Sequence, residues 1–142
     1  MFCCRHALVL DLGGHVAGMV LGYRLPVAAH AQTMLRRCDS LRPVNWLERR
    51  PPASYYLNTL AVHPDFQKLG YGGLLLSAAE TQARRSGCGC MILETGRANH
   101  GAVRFYRRNG FVPWSADGGG TLMDAPDIGA NLVLGKWLIG EV

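Results

Sequence analysis

Apolar and polar positions repeat at two different periods along this chain. Residues 7–12 and 15–23 are β-rich runs separated only by Gly13-Gly14, and two glycines supply the positive φ that a tight hairpin turn demands. Residues 55–62 carry β-branched and aromatic side chains in an unbroken apolar setting, which predicts a strand in the middle of a sheet. Residues 72–86 then spread leucines and alanines over a broad helical stripe, place Glu80 four residues before Arg84 on the wet side, and stop at Gly87. The next strand, residues 91–95, follows through that helix and is therefore expected parallel to its predecessor. Asn99 is placed to cap a helix through Ala102, Phe105 and Tyr106 that ends at Asn109-Gly110, and residues 111–114 and 131–138 continue as strands.

Two connections are longer than a hairpin needs. Residues 26–52 have room for a short helix over 28–37 and a further turn around Trp46, closed by Pro51-Pro52. Residues 115–129, with Gly118-Gly119-Gly120 and three aspartates, predict a long surface loop. The sum is an α/β chain: a mixed central sheet with an N-terminal hairpin, a βαβ core and flanking helices, at 142 residues a single domain.

Composition narrows the function without choosing it. Apolar residues make up 49% and charged residues 18%, the balance of a packed domain, and no apolar run is long enough to span a membrane. No charged-then-apolar leader opens the chain, so a cytoplasmic location is expected. A net charge of +5 suits an anionic ligand. The arginines are dispersed in pairs with no series of base-stacking aromatics beside them, so a nucleic-acid partner is not expected. Five cysteines do not close a disulfide framework, and Cys88-Gly89-Cys90 lacks the second pair a metal site needs, so no metal is expected and Cys90 reads as a small apolar residue opening a strand.

The chemistry concentrates in Gln67-Lys68-Leu69-Gly70-Tyr71-Gly72-Gly73, between the central strand and the long helix. A helix that starts from a glycine turn leaves its first N–H groups unpartnered and pointing together, with the positive end of the helix dipole behind them. Such a turn binds a phosphate or pyrophosphate. It is not a nucleotide-hydrolysing P-loop, because Leu74 and Leu75 stand where Lys and Ser/Thr would reach the terminal phosphates and magnesium. A dinucleotide fingerprint fits poorly, since Leu75 replaces its third glycine and the turn does not follow the first strand, although Glu94 lies at a workable distance for a ribose contact.

The spacing Gln-x-x-Gly-x-Gly-Gly, preceded by Leu60-Ala61-Val62-His63-Pro64 and followed by Asn99 to Phe111, resembles the acyl-CoA-binding core of the GNAT superfamily of N-acetyltransferases over residues 55–114. The resemblance implies acetyl-CoA as cosubstrate. The backbone of Leu60, Ala61 and Val62 would bond its pantetheine arm and acetyl group, and N–H groups of Gln67, Lys68, Leu69, Gly70, Tyr71, Gly72 and Gly73 would hold its pyrophosphate. Tyr106 matches the family position beside the CoA sulfur that acts as general acid; otherwise it is a core tyrosine on the apolar face of its helix. Asn99 either touches the CoA arm or only caps its helix.

Glu94 precedes Tyr106 by twelve residues, the separation found in the family branch that acetylates protein N-termini, where the glutamate is the base. Asn58 through a water, His63, or no base at all remain alternatives, and Tyr56 stands where histone-acetylating members keep a carboxylate. Arg97 is a candidate for an acceptor carboxylate. The resemblance equates the first hairpin with the family's second and third strands, so the preceding strand and two helices are expected to be missing and the domain truncated on that side. Residues 26–52, with Trp46, would replace part of that wall. The expected activity is direct acetyl transfer to a primary amine of a small molecule or peptide in a ternary complex; the competing expectation is a non-catalytic CoA-binding sensor or assembly module. An open first strand, and the family's habit, both suggest a homodimer.

Overall fold

The computed structural model describes residues 6–25, 53–113 and 131–138. They form strands β1 (Ala7–Leu12), β2 (His15–Arg24) and β3 (Ser54–Val62), a 3-10 turn (Pro64–Phe66), helix α1 (Tyr71–Arg85), strand β4 (Cys90–Gly96), helix α2 (His100–Arg108), and strands β5 (Val112–Pro113) and β6 (Asn131–Trp137). The sheet runs in the order β1-β2-β3-β4-β6-β5. β3 and β4 are parallel across the α1 crossover, and the remaining pairs are antiparallel. This is the mixed α/β sheet that the sequence predicts, with β3 and β4 at its centre. The expected helix over 28–37, the turn around Trp46 and the loop over 115–129 lie outside the described residues.

Each element ends where its local chemistry says it should. Gly13 and Gly14 both take positive φ, 63° and 90°, and Asp11 Oδ1 accepts from the Gly14 N–H at 2.8 Å, which closes the β1–β2 hairpin. α1 ends with Gly87 in the left-handed region: Gly87 N donates to Arg84 O and Cys88 N to Ala83 O, both at 3.0 Å. α2 repeats the pattern through Gly110, where Phe111 N donates to Tyr106 O at 3.1 Å. Paired bonds of this kind are the Schellman cap, and its usual apolar contact is made here by the rings of Phe111 and Tyr106, 5.6 Å apart. The sequence Phe105-Tyr106-Arg107-Arg108-Asn109-Gly110-Phe111 therefore fixes the seat of Tyr106 locally.

The strands' alternation sorts the core into two faces. Val20, Tyr55, Leu57, Met91, Leu93 and Leu134 meet Leu75, Leu76, Ala79 and Ala83 of α1, together with Tyr106 and Phe111. Tyr56, Cys90, Ile92 and Val133 form the cluster on the opposite face. Gly22 is dictated by the first of these: a Cβ there would stand 2.4 Å from the Tyr55 ring, which lies over β2 with its hydroxyl donating to Gln82 Oε1 at 2.9 Å.

One expectation fails. Glu80 is not on the wet side of α1; its side chain is only 12% exposed, with Lys136 Nζ donating to it at 2.8 Å and the Arg84 guanidinium ion-paired with it at 3.8 Å. Lys136 arrives from β6 and turns an expected surface pair into a bridge between helix and sheet.

Candidate active site

The central feature is a split in the sheet. β3 and β4 are hydrogen-bonded neighbours only from Ser54 opposite Cys90 to Leu57 opposite Leu93. Beyond that point β3 continues to Val62 and β4 to Gly96 without pairing. The cause lies on the other side of β3. Its register with β2 slips between Gly22, opposite Leu57, and Leu21, opposite Thr59, so Asn58 is an extra residue in the ladder. A bulge bends its strand and strengthens the local twist. Here it falls at the residue where pairing with β4 ends, and β3 diverges from there.

The bulge also reverses which residues face which way. Tyr55 and Leu57 face the helices before it, and Leu60 and Val62 do so after it. Residues 58–62 keep β2 on one side, through Thr59, Leu60, Ala61 and Val62 opposite Leu21, Val20, Met19 and Gly18. Their other side opens on the wedge between the strands. A strand with one free side is ready to bond an extended ligand. Leu60, Ala61 and Val62, which the resemblance implies bond the pantetheine arm, lie on this free side.

The glycine turn lies at the wide end of that wedge. Gln67 is its brace: its side-chain Nε2 donates to Val62 O at 2.9 Å and its own N–H to Pro64 O at 3.4 Å. Lys68 and Gly70 take positive φ, 61° and 85°, and no side chain caps α1. The first helical bond runs from Leu74 N to Gly70 O, so among the described residues no backbone acceptor meets the N–H groups from Lys68 to Gly73. The glycines have different reasons. A Cβ at Gly70 or Gly73 would meet nothing within 4 Å, whereas one at Gly72 would stand 3.3 Å from the Phe105 ring. Gly73 keeps the turn open; Gly72 makes room for α2.

Tyr106 and Glu94 sit on opposite faces of the sheet at this split. Tyr106 is buried on the α2 side, its ring edge-to-face with Phe105 at 5.2 Å and Phe111 at 5.6 Å. Burial pushes its phenol above the ordinary tyrosine value, so the proton is kept at neutral pH. Glu94 is the first β4 residue past the last paired one, opposite Val133 of the other face, and Asn131 Nδ2 donates to its Oε1 at 2.6 Å. An amide donor of this kind holds the carboxylate in one orientation.

The remaining candidates have structural partners. Asn99 caps α2, its Oδ1 accepting from Ala102 N at 3.2 Å. Asn58 forms the bulge, with its Oδ1 accepting from the Thr59 hydroxyl at 2.9 Å. His63 begins the 3-10 turn, its Nδ1 accepting from Asp65 N at 3.2 Å. Tyr56 packs edge-to-face on Tyr23 at 5.8 Å, and Arg97 is exposed past the end of β4. Sequence reasoning missed Phe105 and Asn131, because Phe105 meets Gly72 and Asn131 meets Glu94 only through the fold. Asn58 did carry a signal, as an amide side chain in a strand whose other residues are aliphatic, aromatic or hydroxyl-bearing.

A split central pair, a free-edged strand and a turn of unpartnered N–H groups at one end of it suit an extended ligand that ends in a phosphate. The acetyltransferase (GNAT) family model matches residues 2–111. The chain belongs to the GNAT family. Acetyl-CoA is that family's cosubstrate, and one GNAT-fold neighbour, the PaiA N-acetyltransferase from Thermoplasma acidophilum, was solved in complex with coenzyme A. That structure superposes with a TM-score of 0.60 at 18% identity, over 92% of this chain and 59% of its own, a likeness of fold.

Two curated relatives are more alike in sequence over shorter stretches. The "uncharacterized N-acetyltransferase YhfO" of Bacillus subtilis is 42% identical over 57 residues, which cover 40% of this chain and 38% of that protein. The tRNA(Met) cytidine acetyltransferase TmcA of Aeropyrum pernix is 38% identical over 61 residues, 43% of this chain and 8% of TmcA. The chain thus matches well under half the length of either relative. Among the described residues no helix is long and apolar enough to cross a membrane.

Proposed function

We propose that the protein is an acetyl-CoA-dependent N-acetyltransferase that passes the acetyl group directly to a primary amine of a small molecule or peptide in a ternary complex. The observation that carries it is the bulge at Asn58, at the point where β3 and β4 part: it opens a wedge with Tyr106 on one face and Glu94 on the other. The pantetheine arm lies along residues 60–62 and the pyrophosphate in the turn that ends at Gly73. The amine enters from the Glu94 face and attacks the thioester carbon, and Glu94 takes its proton directly or through a water. A free N–H of β3 stabilises the oxygen as it gains charge. The C–S bond then breaks, Tyr106 gives its proton to the departing thiolate, and the acetylated amine and CoA leave.

Calorimetric titration of acetyl-CoA tests the first half. Micromolar binding is expected, and Gly73→Glu should abolish it, because the new carboxylate enters the open turn without touching Phe105. CoA release with polyamines, aminoglycosides, amino acids, peptides and tRNA tests the second half; tRNA is included because TmcA is named for it. Acetylation of an amine, reduced about a hundredfold by Tyr106→Phe at nearly unchanged acetyl-CoA affinity, is the expected result. Equal rates for the two proteins would remove Tyr106 from the mechanism. Binding without turnover on any acceptor would leave the CoA-binding sensor as the function.

A further inference from the structure

We propose that Phe105 is a positioning residue that couples the phosphate-binding turn to Tyr106. Its ring occupies the space left by the missing side chain of Gly72 on one side and meets the Tyr106 ring edge-to-face on the other. The proposal rests on the roles given above to the turn and to Tyr106, and adds a mechanical link between them.

Three observations support it. Gly72 is set by this contact and not by backbone conformation: its φ is not positive, yet a Cβ would lie 3.3 and 3.4 Å from Phe105 Cε2 and Cζ, closer than side chains ordinarily sit. The contact also belongs to a closed ring of packing. From Phe105 and Tyr106 it passes to Phe111 at 5.6 Å, to Lys136, whose Nζ lies 5.9 Å from the Phe111 centroid, and back to α1 through Glu80 at 2.8 Å. α1 therefore reaches the aromatic row at both ends, directly at Gly72 and from Glu80 through Lys136 of β6. Finally, the Tyr106 hydroxyl makes no hydrogen bond among the described residues, so among these residues the packing around its ring, Phe105 and Phe111 included, aims it. Aromatic pairs of this geometry have a preferred angle and separation, so a shift at one ring is felt at the next. A displacement well under 1 Å at the reacting group can cost on the order of tenfold in rate.

The link is tested first without ligand. The protein is labelled with fluorotyrosine, and the Tyr106 fluorine signal is assigned with Tyr106→Phe. Gly72→Ala adds one methyl against Phe105 and nothing against Tyr106; it is expected to move the Tyr106 signal, and in a Phe105→Leu background to leave that signal where Phe105→Leu alone puts it. A Tyr106 signal that ignores Gly72→Ala, or moves equally with leucine at 105, would overturn the proposal. Circular dichroism confirms that each variant is folded, and Gly72→Ala serves as the milder probe.

A kinetic arm reads the same link. Phe105→Leu is expected to lower kcat about tenfold with acetyl-CoA affinity changed less than about threefold, and to lower kcat no further when Tyr106 is already Phe. An equal loss in both backgrounds would make Phe105 merely structural and sink the proposal. If the parent acetylates no amine, the enzymatic function falls, and the fluorine experiment still decides the link.

Discussion

Tyr55 and Tyr106 show how the same side chain is put to different use by its surroundings. Burial, with a smaller push from Cys88, raises the Tyr55 phenol from 10.0 to about 12. The sign follows from linkage: the unfolded phenol ionises first, so this contribution is complete below pH 10.0 and is lost as pH rises towards about 12. Thermal melts across that interval should show a falling midpoint in the parent and a flatter profile in Tyr55→Phe, which also loses about 1 kcal/mol at neutral pH with the bond to Gln82. Tyr106, raised above 10.0 by burial alone, must be protonated to act as acid. Any alkaline loss of kcat that belongs to Tyr106 is therefore expected above pH 10.0, and a tyrosine-dependent fall below it would contradict the assignment. Tyr106 and its cap were legible in the sequence because Tyr106, Gly110 and Phe111 lie within five residues of each other. Asn131 was not, since only the β4–β6 register brings it to Glu94.

At the scale of elements, short-range chemistry set the ends and long-range pairing set the site. Both helices, the hairpin and the parallel crossover could be read from caps, glycines and periods. The split could not, because it depends on how three strands register at Asn58, and no local signal encodes where β4 lets go. The burial of Glu80 was hidden for the same reason, its partner Lys136 standing 56 residues away. Gly101 inside α2 and Gly110 just past its C-terminal cap give a direct test of the local part. Gly110 has φ 88° and Gly101 has no positive φ. Gly110→Ala is expected to cost about 1 kcal/mol and Gly101→Ala to be neutral or stabilising by about 0.5 kcal/mol, as measured by denaturant unfolding.

At the scale of the whole molecule, β1 is one of the two edge strands among the described residues, and Val9 is 55% exposed on it. Among the described residues no strand pairs with its outer side, and natural proteins seldom leave such an edge open. A homodimer is the expected state; sedimentation showing a monomer at every concentration would contradict it. The wedge carries a different liability. Residues 58–62 are in effect a second rim in the middle of the sheet, a seam that the protein cannot sew shut without closing its own site. In the proposed binding mode the cosubstrate is the thread. Amides on the seam should exchange with solvent quickly in the empty protein and slowly once acetyl-CoA lies along them, and a hundredfold excess over Kd would add about 2.7 kcal/mol to stability. Starved of acetyl-CoA, the chain would lose more than its substrate: it would be left with an unprotected strand at its centre, in the form most exposed to unfolding and to pairing with the wrong neighbour.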